Sequence, residues 1–311
     1  MSSNLELVML GAMYENGGNA TLRFLDGHPE LFVYPFESQL GTRLVQDSLT
    51  SVFPIKYRWP VFSLAGTPES DYRAIIDEEC KVRARTPRVS KFRTVAFHFS
   101  DDERFRFYAS HVGRTGRSRA HNVAAFFRAT FEAWRNRRRR RTQRVYVGYS
   151  PIVVVDADKI LADFPRGHVI HVVRNPWSAY ADHQRRAVPS HLPAYMLGWT
   201  LNQYFALANR QQAPDRVHVL RFEDIVEDPL RTLGEVCEKL GVSRPNSLAV
   251  PSWNGQRLRA VYPWGAIHQA TVAANRAAAR RLSLRERAEV RALAGPYLEA
   301  YGYDRVFRER P

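Results

Sequence analysis

The chain has 311 residues, is 45% hydrophobic and carries a formal charge of +15, so it can bury a sizeable core and is no disordered polyelectrolyte. It has no run of eighteen apolar residues, no basic segment ahead of an apolar one in MSSNLELVMLGA, and only Cys80 and Cys237, without metal-ligand spacing. These features argue against a membrane helix, a secretory signal, a disulfide framework and a cysteine metal site. The expectation is a cytoplasmic protein with inert buried thiols. Its positive charge predicts affinity for an anion, whether a phosphorylated cofactor, an acidic acceptor, nucleic acid or a membrane surface.

Short apolar runs alternate with amphipathic segments, the pattern of an α/β fold whose parallel sheet is covered on both faces. A first strand over Leu5–Gly11 runs into Tyr14-Glu15-Asn16-Gly17-Gly18-Asn19-Ala20-Thr21 and a helix over Asn19–Asp26. Adjacent glycines allow a tight turn that exposes successive N–H groups, and the helix adds the positive end of its dipole. The segment therefore suits an anion, although a plain strand–turn–helix connection looks the same. Gly18-Asn19-Ala20 stands where a nucleotide triphosphatase needs Gly-Lys-Ser/Thr, so its phosphate lysine and magnesium hydroxyl are lacking.

A second strand over Leu31–Phe36 leads to Glu37. Residues Pro54–Arg119, with a strand over Thr94–Phe99, have no clear place in the sheet and read as an insertion over its carboxyl edge, where ligands bind. A helix over Ala120–Arg137 opens the run Arg135–Arg144 (RNRRRRRTQR), either a solvated helix end or a polyanion-binding surface. Strand Val145–Tyr149, helix Ile152–Asp163 and strand His168–Val173 lead to Arg174. A guanidinium at a strand end suits a forked grip on phosphate, or pairing with a neighbouring carboxylate. Ser178 and Asp182 follow on one face of a helix over Trp177–Arg186.

Helix Tyr195–Arg210 and strand Arg216–Phe222 precede Glu223 and Asp224, which read as fixing a turn or an arginine. Helix Leu230–Leu240 ends at Gly241, a C-cap position. Pro251–Gly265 reads as an ordered loop in which Trp253, Tyr262 and Trp264 pack, and Ser283–Tyr301 as a closing helix with Ser283 and Glu286 as capping box.

In order and spacing these segments resemble the sulfotransferase family that uses 3′-phosphoadenosine-5′-phosphosulfate (PAPS). The likeness rests on the glycine loop, Leu25-Asp26-Gly27-His28-Pro29, Pro35-Phe36-Glu37, Tyr149-Ser150-Pro151 through Phe164-Pro165, Arg174-Asn175-Pro176, and Glu223-Asp224-Ile225 with Asp228-Pro229. It covers Leu5–Phe36 and Val145–Val242, and is weaker in the tail. The resemblance implies a P-loop-like parallel sheet flanked by helices, one domain over residues 1–311, with 54–119 on the acceptor side and 251–265 covering the donor. It puts Asn16, Gly17, Gly18, Asn19, Ala20 and Thr21 on the 5′-phosphosulfate, Arg174, Ser178 and Asp182 at the 3′-phosphate, and Arg257 and Arg259 above it. The sequence departs from the family pattern where Glu15 and Asn16 replace a basic residue and serine, Asn19 replaces a hydroxyl residue and Asp182 replaces serine.

The implied activity is metal-independent transfer of a sulfuryl group from PAPS to a hydroxyl. A glycan or small natural product is the favoured acceptor, with a protein tyrosine and an anionic acceptor among the options. The base should be His or a carboxylate beside the loop: Glu37 first, then His98 in a strand, then Glu15 in the loop itself. Two rival readings remain. One is a polyanion- or nucleic-acid-binding protein using the arginine run, though no recognition helix or RNA-binding aromatic pattern accompanies that run. The other is a nucleotide-dependent kinase on the same fold, opposed by the missing Lys-Ser/Thr.

Overall fold

A computed structural model describes residues 2–259 and 271–307. Strand β1 (Leu7–Gly11) sends Leu7 and Met9 into one buried cluster, and Val8 and Leu10 into another, on opposite faces of the sheet. With β2 (Leu31–Val33), β3 (Val145–Tyr149), β4 (His168–Val173) and β5 (Val217–Arg221) it forms a five-stranded parallel sheet ordered β2-β3-β1-β4-β5. Val8 lies opposite Val147 on one side and His168 on the other. The loops after neighbouring strands β1 and β4 therefore leave the same carboxyl edge side by side, which is where ligands sit in such sheets.

The helices are α1 (Gly18–Leu25), α2 (Pro68–Ala74), α3 (Glu78–Arg85), α4 (Asp101–Thr115), α5 (Arg119–Ala133), α6 (Ala157–Asp163), α7 (Pro176–His183), α8 (Leu192–Gln212), α9 (Phe222–Glu227), α10 (Pro229–Lys239), α11 (Val272–Ala279), α12 (Leu284–Ala294) and α13 (Tyr297–Ala300). A short antiparallel hairpin, β6 (Ser252–Trp253) and β7 (Gln256–Arg257), precedes α11. No helix among the described residues is long and apolar enough to cross a membrane. Cys80 and Cys237 are buried free thiols.

The five expected strands are present, and four expected elements differ for local reasons. Thr94–Phe99 is no strand; only Phe99 makes a bridge, to Trp134. Helix α5 stops at Ala133 rather than at Arg137. There the Asn136 side chain accepts from His98 N and Trp134 Nε1, both at 2.9 Å, and helix continuation would stack like charges. The arginine run thus follows the helix instead of ending it, with Arg135, Arg138, Arg139 and Arg141 exposed. Arg137 lies over the Phe32 and Phe131 rings, and Arg138 Nη1 donates to Gly255 O at 3.3 Å. The span Ile152–Asp163 starts as a 3-10 turn over Val153–Asp156, and only then becomes α6. The closing helix breaks between α12 and α13, where Gly295 (φ 51°) takes a left-handed conformation and Pro296 follows.

The segment between β2 and α5 is bonded to the carboxyl edge. Asp77 N donates to Gln39 O at 2.9 Å and Ile76 N to Gly41 O at 3.2 Å, which brings the start of α3 beside Glu37.

Candidate active site

The loop from β1 to α1 enters the left-handed region at Glu15 (φ 61°) and Gly17 (φ 95°). Gly17 caps α1 and has no side chain to satisfy the first turn, so that turn leaves its amide N–H groups for a ligand or solvent. A Cβ on Gly17 would lie 2.2 Å from the Phe222 ring, and one on Gly18 2.3 Å from the Tyr149 ring. Packing alone therefore requires both glycines.

Two of the side chains assigned to the donor are engaged within the protein. Asn16 Oδ1 accepts from Arg174 N at 2.9 Å, while its Nδ2 donates to Tyr14 O and Tyr195 Oη. Thr21 Oγ1 donates back to Gly17 O at 3.0 Å. Ala20 can offer only its amide. Asn19 is half-buried in the first turn, and its Nδ2 donates to Glu37 Oε1 at 3.4 Å. The amides, the dipole and Asn19 fit the 5′ end of an anionic donor.

Arg174 lies beside the loop, among the side chains that the resemblance assigns with it. Arg174 is 2% exposed; its Nε donates to Asn275 Oδ1 at 2.6 Å and its Nη1 to Glu15 O at 2.9 Å. Asp182 Oδ2 sits 2.8 Å from Nη1 as counter-ion, and Asp182 also pairs with Arg281. Ser178 is fully buried and its Oγ donates to Asn275 O at 2.6 Å. Arg174, Ser178 and Asp182 are thus brought together, with Asn275 of α11 bonded to the first two. Glu223 is structural, as expected: it accepts from Asn175, Asn275 and Tyr303.

Arg257 and Arg259 stand at the surface. Both are exposed, Arg257 on the β6–β7 hairpin and Arg259 just after it. The hairpin turn at Asn254 and Gly255 is pinned by Asp26, which accepts from Ser252 Oγ, Asn254 N and Gly255 N. Asp26 lies at the far end of α1, about 12 Å from its first turn at 1.5 Å per residue. Trp253 packs on Phe36, Phe92 and Trp134, as expected of a core residue. The rest of the expected covering loop, with Tyr262 and Trp264, lies outside the described residues.

On the other side of the loop, Glu37 is 7% exposed and held between Asn19 and Lys91, whose Nζ is 3.7 Å from Glu37 Oε1. The Glu37 N–H donates to Glu79 Oε2 at 2.9 Å, and Glu79 Oε1 pairs with Lys91. Burial, then the neighbouring Glu37 charge, pushes the Glu79 carboxyl up to about 7 against the pull of Lys91. Tyr57 lies near the Glu37 charge and meets Tyr14 edge-on, with centroids 6.0 Å apart. His183 stacks on Tyr14, and the Arg186 guanidinium lies 4.8 Å from the Tyr14 ring centre. Burial pushes Tyr14 up to about 12 and His183 down to about 4, so both are uncharged at neutral pH. Burial also raises the Glu15 carboxyl, with Arg186 as the main opposing influence.

Glu37 and Glu15 lie within electrostatic reach of each other. His98 does not join them. Its side chain is exposed, and its backbone brackets the start of the arginine run through Asn136 Oδ1 and Arg135 N. Glu79, Lys91 and Asn275 complete the arrangement, and none of them stands in a recognisable motif.

A model of the sulfotransferase family matches residues 41–246, well over half of the chain. The chain belongs to the sulfotransferase family. Among solved structures, this sulfotransferase is similar to the sulfotransferase domain of the olefin synthase from Synechococcus PCC 7002. The TM-score is 0.58 at 19% identity, covering 98% of this chain and 96% of that one. It also matches a sulfotransferase from Alicyclobacillus acidocaldarius with a TM-score of 0.42 at 15% identity, covering 96% and 99% of the two chains. Retinol dehydratase, solved with androsterone and the inactive cofactor PAP, matches with a TM-score of 0.43 at 11% identity over 100% and 84%. No curated protein sequence matches the chain.

Proposed function

We propose that this sulfotransferase moves a sulfuryl group from the phosphosulfate of PAPS, seated on the glycine loop, to a hydroxyl of a glycan or small natural product, with Glu37 as general base. The observation that carries the reading is the 3.4 Å contact from Asn19 in the first turn of α1 to the Glu37 carboxylate. It ties the anion cradle and a buried base into one unit.

The bound donor supplies the transferable sulfuryl group; the protein supplies placement and charge. The first-turn amides and the α1 dipole hold negative charge at the loop, where it grows on the leaving phosphate. Glu37, beside that turn, receives the acceptor's proton. Glu79 anchors the Glu37 backbone, and the Lys91 ammonium stands 3.7 Å from the Glu37 carboxylate. Tyr14 and Tyr57 supply an aromatic wall for the acceptor, and the segment 54–119 lies on that side.

The test is Glu37→Gln, assayed with sulfur-35-labelled PAPS and pooled hydroxyl acceptors. Turnover is expected to fall by about 10²–10⁴-fold, with nucleotide affinity and melting temperature nearly unchanged. A folded variant that turns over like wild type would transfer the role to Glu15.

A further inference from the structure

We propose a second binding site, for a ring-bearing phosphate monoester, in the cleft that Arg128, Arg137 and Arg139 share with Phe32, Phe107 and Tyr146. The cleft has a volume of about 350 Å³ and lies where α4, α5 and the arginine run meet the opening residues of β2 and β3. It is separate from the glycine loop. Phe32 and Tyr146 pack on the sheet face that carries Leu7 and Met9, whereas Ala20, Leu22 and Phe24 of α1 pack on the other, with Val8 and Leu10. The sheet stands between the two sites.

Charge is the first observation. Arg135 and Arg144, near the ends of the run, pair with Glu103 and with Glu6 and Glu30. Arg128, Arg137 and Arg139 form no ion pair among the described residues. The one carboxylate lining the cleft is Glu132, whose oxygens lie 3.0 and 3.1 Å from His111 Nε2. Three arginines against one glutamate leave an excess of two positive charges. Arg137 carries the strain of that excess. It is half-buried, its Nη1 donates to Gln143 Oε1 at 2.5 Å, and its Nε is buried without a hydrogen-bond partner. Burial, then the charge of Arg139, pulls its guanidinium down to about 10. An anion bound between Arg137 and Arg139 relieves both effects.

Shape is the second. Arg137 lies 4.9 Å from the Phe32 ring centre and 5.6 Å from that of Phe131, so its planar fork is fixed rather than swinging in water. Phe32 stacks on Tyr146 at 4.5 Å, and Phe107 of α4 lines the same cleft while 39% exposed. These rings give the ligand an apolar wall beside its cationic one. The volume is at the low end of small-molecule sites, roughly 300–1,000 Å³, and suits one ring with its substituent. A phosphate monoester carries a charge of about −1.5 to −2 at neutral pH, which matches the excess better than a single carboxylate.

Calorimetry on the full chain with phenyl phosphate as probe tests the proposal, with no need of donor or acceptor. Wild type is expected to bind it with a Kd below about 1 mM, and about tenfold or more tightly than inorganic phosphate. Arg128→Gln and Arg139→Gln remove side chains without an ion-pair partner, so melting temperatures should hold. Each variant should weaken binding by about fivefold or more, the loss of one charge-assisted contact. Arg137→Gln should weaken it further; if that variant does not fold, the other two still decide. No binding by wild type at millimolar concentration overturns the proposal. So does binding that survives in either of those two variants, because the ligand then sits elsewhere. Inorganic phosphate bound as tightly as the ester overturns the ring-bearing class. A short oligothymidylate bound more tightly than the ester, and lost in the same variants, makes the cleft part of a nucleic-acid surface and overturns the proposal as well.

Discussion

Glu79 sits in Glu78-Glu79-Cys80-Lys81, which reads as an ordinary charged helix turn, yet its carboxylate holds the proposed base by the backbone. Its protonation should mark the whole protein. A carboxyl raised to about 7 in the fold, against an ordinary value of 4.5, binds more protons folded than unfolded between those limits. Unfolding free energy therefore falls as pH rises from about 4.5 to 7, and the contribution is fully present only below that window. Glu79→Gln carries no such titration. Its melting temperature is expected to stay flatter than wild type between pH 5 and 7.5, and parallel curves would place the titration elsewhere. Arg174 teaches a related lesson at the same scale. An arginine at a strand end is visible in the sequence, but whether it faces a ligand or a carboxylate depends on Asp182 and on Asn275, a hundred positions along the chain. No local pattern announces that second partner.

Among the elements, those with a strong local code were legible. The strands declared themselves as short apolar runs, and the end of α10 is a clear case. Gly241 adopts φ 65°, with its N–H on Glu238 O and the Val242 N–H on Cys237 O, the paired bonds of a Schellman turn. A Cβ there would meet nothing within 4 Å. Gly241→Ala therefore isolates the backbone cost, expected at about 1 kcal/mol in chemical denaturation; a neutral result would mean that the turn relaxes. Helix α5 shows where the code gave out. Periodicity runs on towards Arg137, but the stop depends on Asn136 bonding His98 and Trp134, and on Arg137 finding the Phe32 and Phe131 rings. Tertiary partners overrode propensity there, as they did at Thr94–Phe99, whose aromatic side chains serve the core without a strand to pair with.

For the molecule as a whole, the segment between β2 and α5 is fastened by buried ion pairs as well as by apolar contact. Arg58, with a fully buried side chain, bridges Asp156 beside α6 to Asp47, and Arg104 on α4 joins Asp77 and Asp101. Arg58→Ala would leave buried Asp156 with only Lys159 and the Trp59 N–H as partners, and should cost about 3–5 kcal/mol of unfolding free energy. A loss below 1 kcal/mol would show that solvent reaches the gap. The sheet order has a consequence of another kind, in the timing of assembly. β1 is central, and it pairs through Leu7 with Tyr146 and through Val8 with His168. The glycines of the first loop thus leave the ribosome long before the strands that clamp them exist. Such distant pairings are slow to form. A fragment ending at residue 144 carries every residue of the glycine loop and no cradle, because Tyr149, Arg174 and Phe222, which shape it, have yet to be made.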